Sequence, residues 1–95
     1  MNLGLYNSAP RGHAPNLVAH QDEASGALPT VLVGPLKAGI ALTALRAEVL
    51  WQGTKFVACT DLARPIRRTA LRPMGRLDDA ASRLVMSRFL QLLAR

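Results

Sequence analysis

The apolar residues of this chain fall in short runs separated by turn-forming residues, and a helical repeat is present only near the C-terminal end. Short runs of this kind predict β-strands, whereas apolar residues that recur every three or four positions predict a helix. We therefore expect a mainly β fold, a small barrel or sandwich of antiparallel strands with one C-terminal α-helix packed on it. A single domain spans residues 1–95, with strands in about residues 3–71 and the helix in about residues 78–94.

Three strands are predicted in the first part of the chain, at Leu3–Tyr6, Leu17–His20 and Thr30–Val33. The third has β-branched and apolar residues on both faces, so it should be a buried central strand. Gly34 and Pro35 should end it, because proline has no backbone N–H to donate to a neighbouring strand.

The middle of the chain predicts a β-hairpin. Its arms are Ala47–Trp51 and Thr54–Cys59, and Gln52 and Gly53 form the turn between them. The segment Lys37–Leu42, before the hairpin, should be a short helical or irregular turn.

The helix at residues 78–94 has a clear start, because Asp78 and Asp79 place acidic side chains at the positive end of the helix dipole. Its apolar side chains cover more of the circumference than one core contact needs, so part of this helix should contact another chain. These side chains are Ala81, Leu84, Val85, Met86, Phe89, Leu90, Leu92 and Leu93.

Charge and composition indicate a folded protein with an anionic partner. Hydrophobic residues make up 49% of the 95 residues, and the net charge is +6. A basic cluster attracts nucleic acid or an acidic protein segment, although a solvated basic surface gives the same pattern. The cluster consists of Arg64, Arg67, Arg68, Arg72 and Arg76.

The single cysteine, Cys59, excludes a disulfide within the chain and a metal site built from several cysteines. The first residues lack the features of a secretion signal. No apolar run approaches the roughly 18 residues of a membrane span. We therefore expect a cytoplasmic protein with no metal or other cofactor.

Cys59, Thr60 and Asp61 form the one local group of residue types that suits catalysis. A nucleophilic Cys or Thr needs a base, and His13 and His20 are distant in the sequence. A small buried Cys59, and an Asp61 that accepts backbone hydrogen bonds in a turn, explain the group without catalysis. We favour this structural interpretation and predict no catalytic residue.

Three longer blocks carry a family likeness: LYNSAPRGHAPNLVAHQDE (Leu5–Glu23), TVLVGPL (Thr30–Leu36) and KFVACTDLARPIRRTAL (Lys55–Leu71). Together they resemble the CcdB toxin family, within the wider CcdB/MazF superfamily of plasmid-maintenance toxins. The third block is the most telling, because a Thr-Asp-apolar-Ala sequence follows the hairpin there, as in the family. Gly75 and the terminal helix then follow in the family's order.

The resemblance implies an SH3-like barrel that works as a homodimer and is neutralised by a cognate antitoxin, acidic and disordered at one end. CcdB-like members bind the A subunit of DNA gyrase and trap the cleaved complex, and they catalyse nothing. The implied function is therefore that of a type II toxin–antitoxin toxin that inhibits DNA gyrase, or a related type II topoisomerase. No membrane and no sequence-specific nucleic-acid binding are expected.

MazF-like members are the alternative, since they are metal-independent endoribonucleases that cleave mRNA. Their arginine stands at the start of the strand before the Pro-rich turn, where this chain has Leu28. A related nuclease branch uses an arginine and an aspartate near the positions of Ala58 and Thr60. A cation stabilises the charge of the transition state, so its absence favours gyrase inhibition over RNA cleavage.

CcdB-like toxins contact gyrase through the end of the helix, where the family pattern closes in Trp-Gly-Ile. This chain closes in Leu93, Ala94 and Arg95. We expect Phe89, Leu93 and Arg95 to form the target contact in place of the missing aromatic anchor. The antitoxin is expected to bind Arg67, Arg68, Met86 and Leu90.

Overall fold

The computed structural model of the protein describes residues 1–22 and 28–94. Glu23, the last residue of the first resemblance block, and Arg95, a predicted target contact, lie outside the described residues. The described ranges form seven strands, one α-helix and two short 3₁₀ helices. The strands are β1 (Gly4–Asn7), β2 (Leu17–Ala19), β3 (Thr30–Lys37), β4 (Arg46–Trp51), β5 (Thr54–Cys59), β6 (Arg64–Arg67) and β7 (Arg72–Arg76); the helix is α1 (Asp79–Leu93), and the 3₁₀ helices are Thr60–Leu62 and Arg68–Ala70.

The strands pair antiparallel in one curled half-barrel sheet, in the order β4-β5-β3-β2-β1-β7. β6 also pairs with β3, so β5 and β6 lie one after the other along β3. The predicted mainly β fold, a small barrel-like sheet with one C-terminal helix, is confirmed.

The prediction that Gly34 and Pro35 end the third strand is wrong, because β3 continues through them to Lys37. The pairing with β6 ends at Val33, and the pairing with β5 begins at Leu36. Pro35 therefore lies between two partner strands, where its missing N–H interrupts neither ladder.

The predicted hairpin is confirmed, since all six residues of β4 pair with the six residues of β5 in an unbroken register. Gln52 and Gly53 form the turn with φ angles of 48° and 79°. A type I′ turn requires positive φ at both positions. The segment between β3 and β4 is irregular rather than helical, and Lys37 belongs to β3.

The strands β1 and β2 are buried on both faces of the sheet, because neighbouring residues in them belong to two different hydrophobic clusters. A strand that is buried on both faces has consecutive apolar residues in its sequence, as Leu17–Ala19 does. The cluster on the α1 side contains Leu3, Leu5, Val18, Leu36, Ala47, Val49, Ala58, Leu77 and Val85. The other contains Tyr6, Leu17, Ala19, Val31, Val33 and Leu71.

β7 extends the strand region beyond its predicted end near residue 71. It pairs with β1, and the register shifts between Leu5 and Tyr6. Pro73 and Gly75 in this stretch are typical of a turn, but a strand at the edge of a sheet tolerates both. Gly75 has a φ of 140°, which an L side chain rarely adopts.

The predicted C-terminal helix is confirmed in its position and its start. Asp78 is the N-cap, and its carboxylate accepts a hydrogen bond from the backbone N–H of Ala81 at 2.7 Å. α1 packs on β4 and on the 3₁₀ helix Thr60–Leu62. In the part of the chain that the structure describes, no helix is long and apolar enough to cross a membrane.

Candidate functional site

The solvent side of α1 carries a strip of large apolar side chains. Met86, Leu90 and Leu93 recur at a spacing of four and three residues and therefore share one side of the helix. Leu90 is 56% exposed and Leu93 is 63% exposed, whereas Met86 is half-buried and also packs against the core. We call these three residues the outer strip. Large exposed apolar side chains grouped in this way are typical of a surface that binds another molecule.

A shallow groove of about 480 Å³ runs along the same helix beside the outer strip. The amino group of Met1 lies 2.8 Å from Oδ1 of Asp79, and Nε of Arg83 lies 2.7 Å from Oδ2. These two cations hold the pKa of Asp79 below its ordinary value. The groove is lined by Met1, Arg83, Met86, Ser87, Leu90, Gln91 and Ala94.

Phe89, predicted to contact the target, lies in the protein interior and not on the outer strip. Its side chain is 8% exposed and packs against His20, with 4.9 Å between the ring centroids. Its ring therefore packs in the contact between α1 and the sheet. Of the other two predicted target contacts, Leu93 is exposed and Arg95 lies outside the described residues.

The four residues predicted to bind the antitoxin divide between two regions. Met86 and Leu90 lie on α1, whereas Arg67 and Arg68 lie at the end of β6 and at the start of the following 3₁₀ helix. β6 pairs with β3, and α1 packs on β4. Arg67 is exposed, while Nε of Arg68 donates to the carbonyl oxygen of Leu28 at 2.9 Å.

The prediction that Cys59 is a small buried residue is confirmed, and Thr60, at the start of the following 3₁₀ helix, is buried as well. Burial raises the pKa of the Cys59 thiol. The Thr60 hydroxyl donates to the backbone carbonyl of Leu45. Both side chains therefore serve the packing of the sheet, and neither is presented to solvent.

Asp61 was predicted to accept local backbone hydrogen bonds; its main partner is instead Arg46, and its own backbone N–H makes a smaller contribution. Nε and Nη2 of Arg46 lie 3.2 Å from Oδ1 and 3.2 Å from Oδ2. This two-point contact lowers the pKa of Asp61. Because Arg46 also donates to the carbonyl of Ala41 at 3.3 Å, the pair ties the 3₁₀ helix after β5 to the loop before β4.

The two histidines do not join this group. His13 is exposed in the loop after β1, and His20 is buried against Phe89. Within residues 1–22 and 28–94, no three His, Cys, Asp or Glu side chains are grouped so that they could hold a metal ion.

Sequence reasoning missed Ser82, which links α1 to the first strand region. Ser82 is buried, and its hydroxyl oxygen accepts a hydrogen bond from the backbone N–H of Leu3 at 2.8 Å. A signal for it was present, because Ser82, Val85 and Phe89 lie at the spacing of one helix face. A polar residue on a buried face needs a partner.

No family model matches the sequence, and no curated protein matches it. The likeness to the CcdB family therefore rests on the three sequence blocks and stays a prediction.

Proposed function

We propose that this protein is the toxin of a type II toxin–antitoxin module and inhibits DNA gyrase, or a related type II topoisomerase, by binding to it. The observation that carries the proposal is the outer strip of α1, in which Leu90 and Leu93 are exposed and Met86 is half-buried, on a helix that the sheet holds in place. The resemblance of the three sequence blocks to the CcdB family supplies the identity of the target.

The proposed inhibition is mechanical, with α1 as a rigid wedge. Val85 and Phe89 bury one side of the helix, and Ser82 fixes it to Leu3. Helix residues that are fixed in this way lose little conformational entropy on binding. Burying apolar surface contributes about 25 cal/mol per Å², so a few leucines in a fitting pocket can dominate the affinity.

Leu93 and Leu90 replace Phe89 as the proposed centre of the target contact. Both are more than half exposed, whereas most of the Phe89 ring is covered by His20 and the sheet. Truncating Phe89 should therefore weaken the fold, and truncating Leu93 should weaken binding.

The antitoxin is proposed to neutralise the toxin by covering Met86 and Leu90, the two residues of the outer strip that also line the groove. An acidic segment suits a chain of net charge +6, and the exposed Arg67 offers it a cation on a second surface. A segment that is disordered when free would fold onto the apolar groove as it binds. Because Leu90 would serve both partners, antitoxin and gyrase should compete. We also propose that the toxin works as a homodimer.

A supercoiling and DNA-cleavage assay with purified gyrase tests the proposal. We expect inhibition of supercoiling and trapped cleavage with the wild-type protein, and a loss of about tenfold or more in potency for Leu93→Glu and Leu90→Glu, since a charge in an apolar contact is costly. Leu42→Glu is the matched control, because Leu42 is 58% exposed but lies in the loop before β4. An absence of inhibition at micromolar wild-type protein would contradict the proposal, as would equal losses for all three variants.

One contact favours RNA cleavage as a second candidate function. The sequence lacks an arginine at position 28, but the guanidinium of Arg68 lies against the Leu28 carbonyl. A cation from the neighbouring 3₁₀ helix thus reaches the place of the missing one, where it would stabilise a negatively charged transition state. Incubation with long RNA in the presence of a chelator tests this. Site-specific cuts that disappear in Arg68→Gln, but persist in Arg67→Gln, would support the nuclease over the gyrase inhibitor.

A further inference from the structure

His20 fills a closed slot between α1 and the sheet. It follows the last residue of β2 and is 2% exposed. The Phe89 ring of α1 lies on one side, tilted by 52°. Gly34 of β3 lies on another, where a Cβ atom would be 2.4 Å from Nε2 of His20 and 3.0 Å from the carbonyl oxygen of Cys59. The slot therefore has the size of an imidazole and leaves no room for a side chain at position 34.

Neither ring nitrogen of His20 has a hydrogen-bond partner among the described residues. Buried polar groups are nearly always paired, so an exception of this kind calls for an explanation. An apolar ring of similar size would fill the slot without that cost. What distinguishes histidine is that it gains a proton and a charge between pH 5 and pH 8.

The side chains that surround His20 do not stabilise a charged imidazole. Gly34 carries no charge on the β3 side, and the Cys59 thiol on the β5 side is buried with a raised pKa. On the α1 side Phe89 is apolar, and Nε of the neighbouring Arg88 is itself buried without a partner. Asp61, on the following 3₁₀ helix, is bound to Arg46. Burial accordingly lowers the pKa of His20, and the Ala19 backbone, close but without hydrogen-bonding geometry, offsets only part of this effect.

We propose that His20 is an acid-sensitive latch, whose protonation expels the imidazole from its slot and releases the C-terminal half of α1 from the sheet. The N-terminal half has separate anchors, the Asp78 cap and the Ser82–Leu3 hydrogen bond. Release begins at Phe89 and carries Leu90 and Leu93 with it. The proposed latch depends on the proposed function in one respect only, that Leu90 and Leu93 form the target contact.

The pH range over which the latch opens follows from the coupling between protonation of His20 and opening. In the released state the imidazole should titrate near its ordinary pKa of about 6.5, whereas in the slot it resists protonation. The closed state is thus fully favoured above about pH 6.5 and is lost as the pH falls below that value, with a tenfold change in the opening equilibrium per pH unit. Between pH 7.5 and 5.5 this amounts to about tenfold. Asp61 and Asp79 have lowered pKa values, so their own titration falls at more acidic pH.

The wild-type protein alone provides the first test, by nuclear magnetic resonance. We expect the His20 signals to titrate below the ordinary imidazole pKa of about 6.5, because burial disfavours the charged ring. Amide hydrogen exchange, corrected for the intrinsic rate, should show opening of Phe89–Leu92 rising about tenfold between pH 7.5 and 5.5. Amides of Ser82–Val85 and of β4 should change less than twofold. Equal loss of protection in β4 would refute a latch and indicate an acid-labile core.

Two variants complete the test. His20→Phe keeps an aromatic ring in the slot but removes the titration, so the acid-induced opening of the helix end should disappear. His13→Gln removes the other imidazole and should leave the opening unchanged. If His20→Phe does not fold, the His20 titration and the amide hydrogen exchange of the wild-type protein still decide whether the latch exists. None of these measurements uses gyrase or an antitoxin, so a failed latch and a failed functional proposal are separate results.

Discussion

The hydrogen bond between Ser82 and Leu3 predicts a specific loss of stability in Ser82→Ala. The Leu3 N–H donates to the Ser82 hydroxyl at 2.8 Å, and both residues are buried. Alanine leaves that backbone N–H without a partner in a place that water does not reach, which costs about 1–3 kcal/mol. Alanine also favours the helix over serine by about 0.5 kcal/mol. The expected net loss in the free energy of unfolding is therefore about 0.5–2.5 kcal/mol.

Ser87→Ala is the matched control, because it makes the same chemical change on an exposed position of the same helix. It gains the same helix propensity without breaking the buried contact, so it should be neutral or slightly stabilising. The difference between the two variants isolates the cost of the unpaired Leu3 N–H, about 1–3 kcal/mol.

Urea unfolding followed by circular dichroism measures both variants under identical conditions. The melting temperature offers a second reading, since 1 kcal/mol corresponds to about 4–8 °C in a domain of this size. Hydrogen exchange at the Leu3 amide should accelerate in Ser82→Ala and stay unchanged in Ser87→Ala. Equal stability of the two variants would show that the contact does not hold β1 to α1, and the argument for a rigid helix would fail with it.

Two further predictions concern the slot and the ion pair. Gly34→Ala should lower the free energy of unfolding by about 1–3 kcal/mol, because its Cβ would meet the His20 ring. In a double-mutant cycle, the variant Gly34→Ala/His20→Ala should show favourable coupling between the two substitutions. Additive losses would count against a contact between the two positions. Asp61→Asn should be less stable than the wild type at pH 7, since Arg46 lowers the pKa of Asp61 and the charged form stabilises the fold. This stabilisation is complete above the ordinary pKa of about 3.9 and is lost as the pH falls through the lower folded value, so the difference between the two proteins should shrink steadily below about pH 3.9 in urea titrations. A difference independent of pH would assign the effect to shape rather than to charge.

The hairpin and the helix could be predicted because their signals are local. Gln52 and Gly53 fix the turn through their backbone conformation, and the flanking arms each form a strand of six residues. Asp78 caps the helix, whose apolar repeat needs no knowledge of the sheet. Most of the strand region followed from the same kind of short-range pattern.

What the sequence did not reveal depends on partners far along the chain. Pro35 is tolerated in β3 because the strand changes partners there, which no local pattern encodes. Asp61 finds Arg46 only after the hairpin has folded back on itself. On the helix, Phe89 and Leu93 belong to one wide apolar arc, and only the position of the sheet decides which of them is buried.

The two ends of this chain meet in the folded protein. The Leu3 carbonyl accepts a hydrogen bond from the N–H of Leu77 at 2.9 Å, β1 pairs with β7, and Val85 belongs to the same core cluster as Leu3. Contacts of such large sequence separation slow folding, because the intervening chain must be ordered before they form. A ribosome that has made the sheet but not the helix holds a nascent chain with an open core. We therefore expect the core of this domain to close only after α1 has left the ribosome, because the sheet alone lacks the side chains of the helix that complete it.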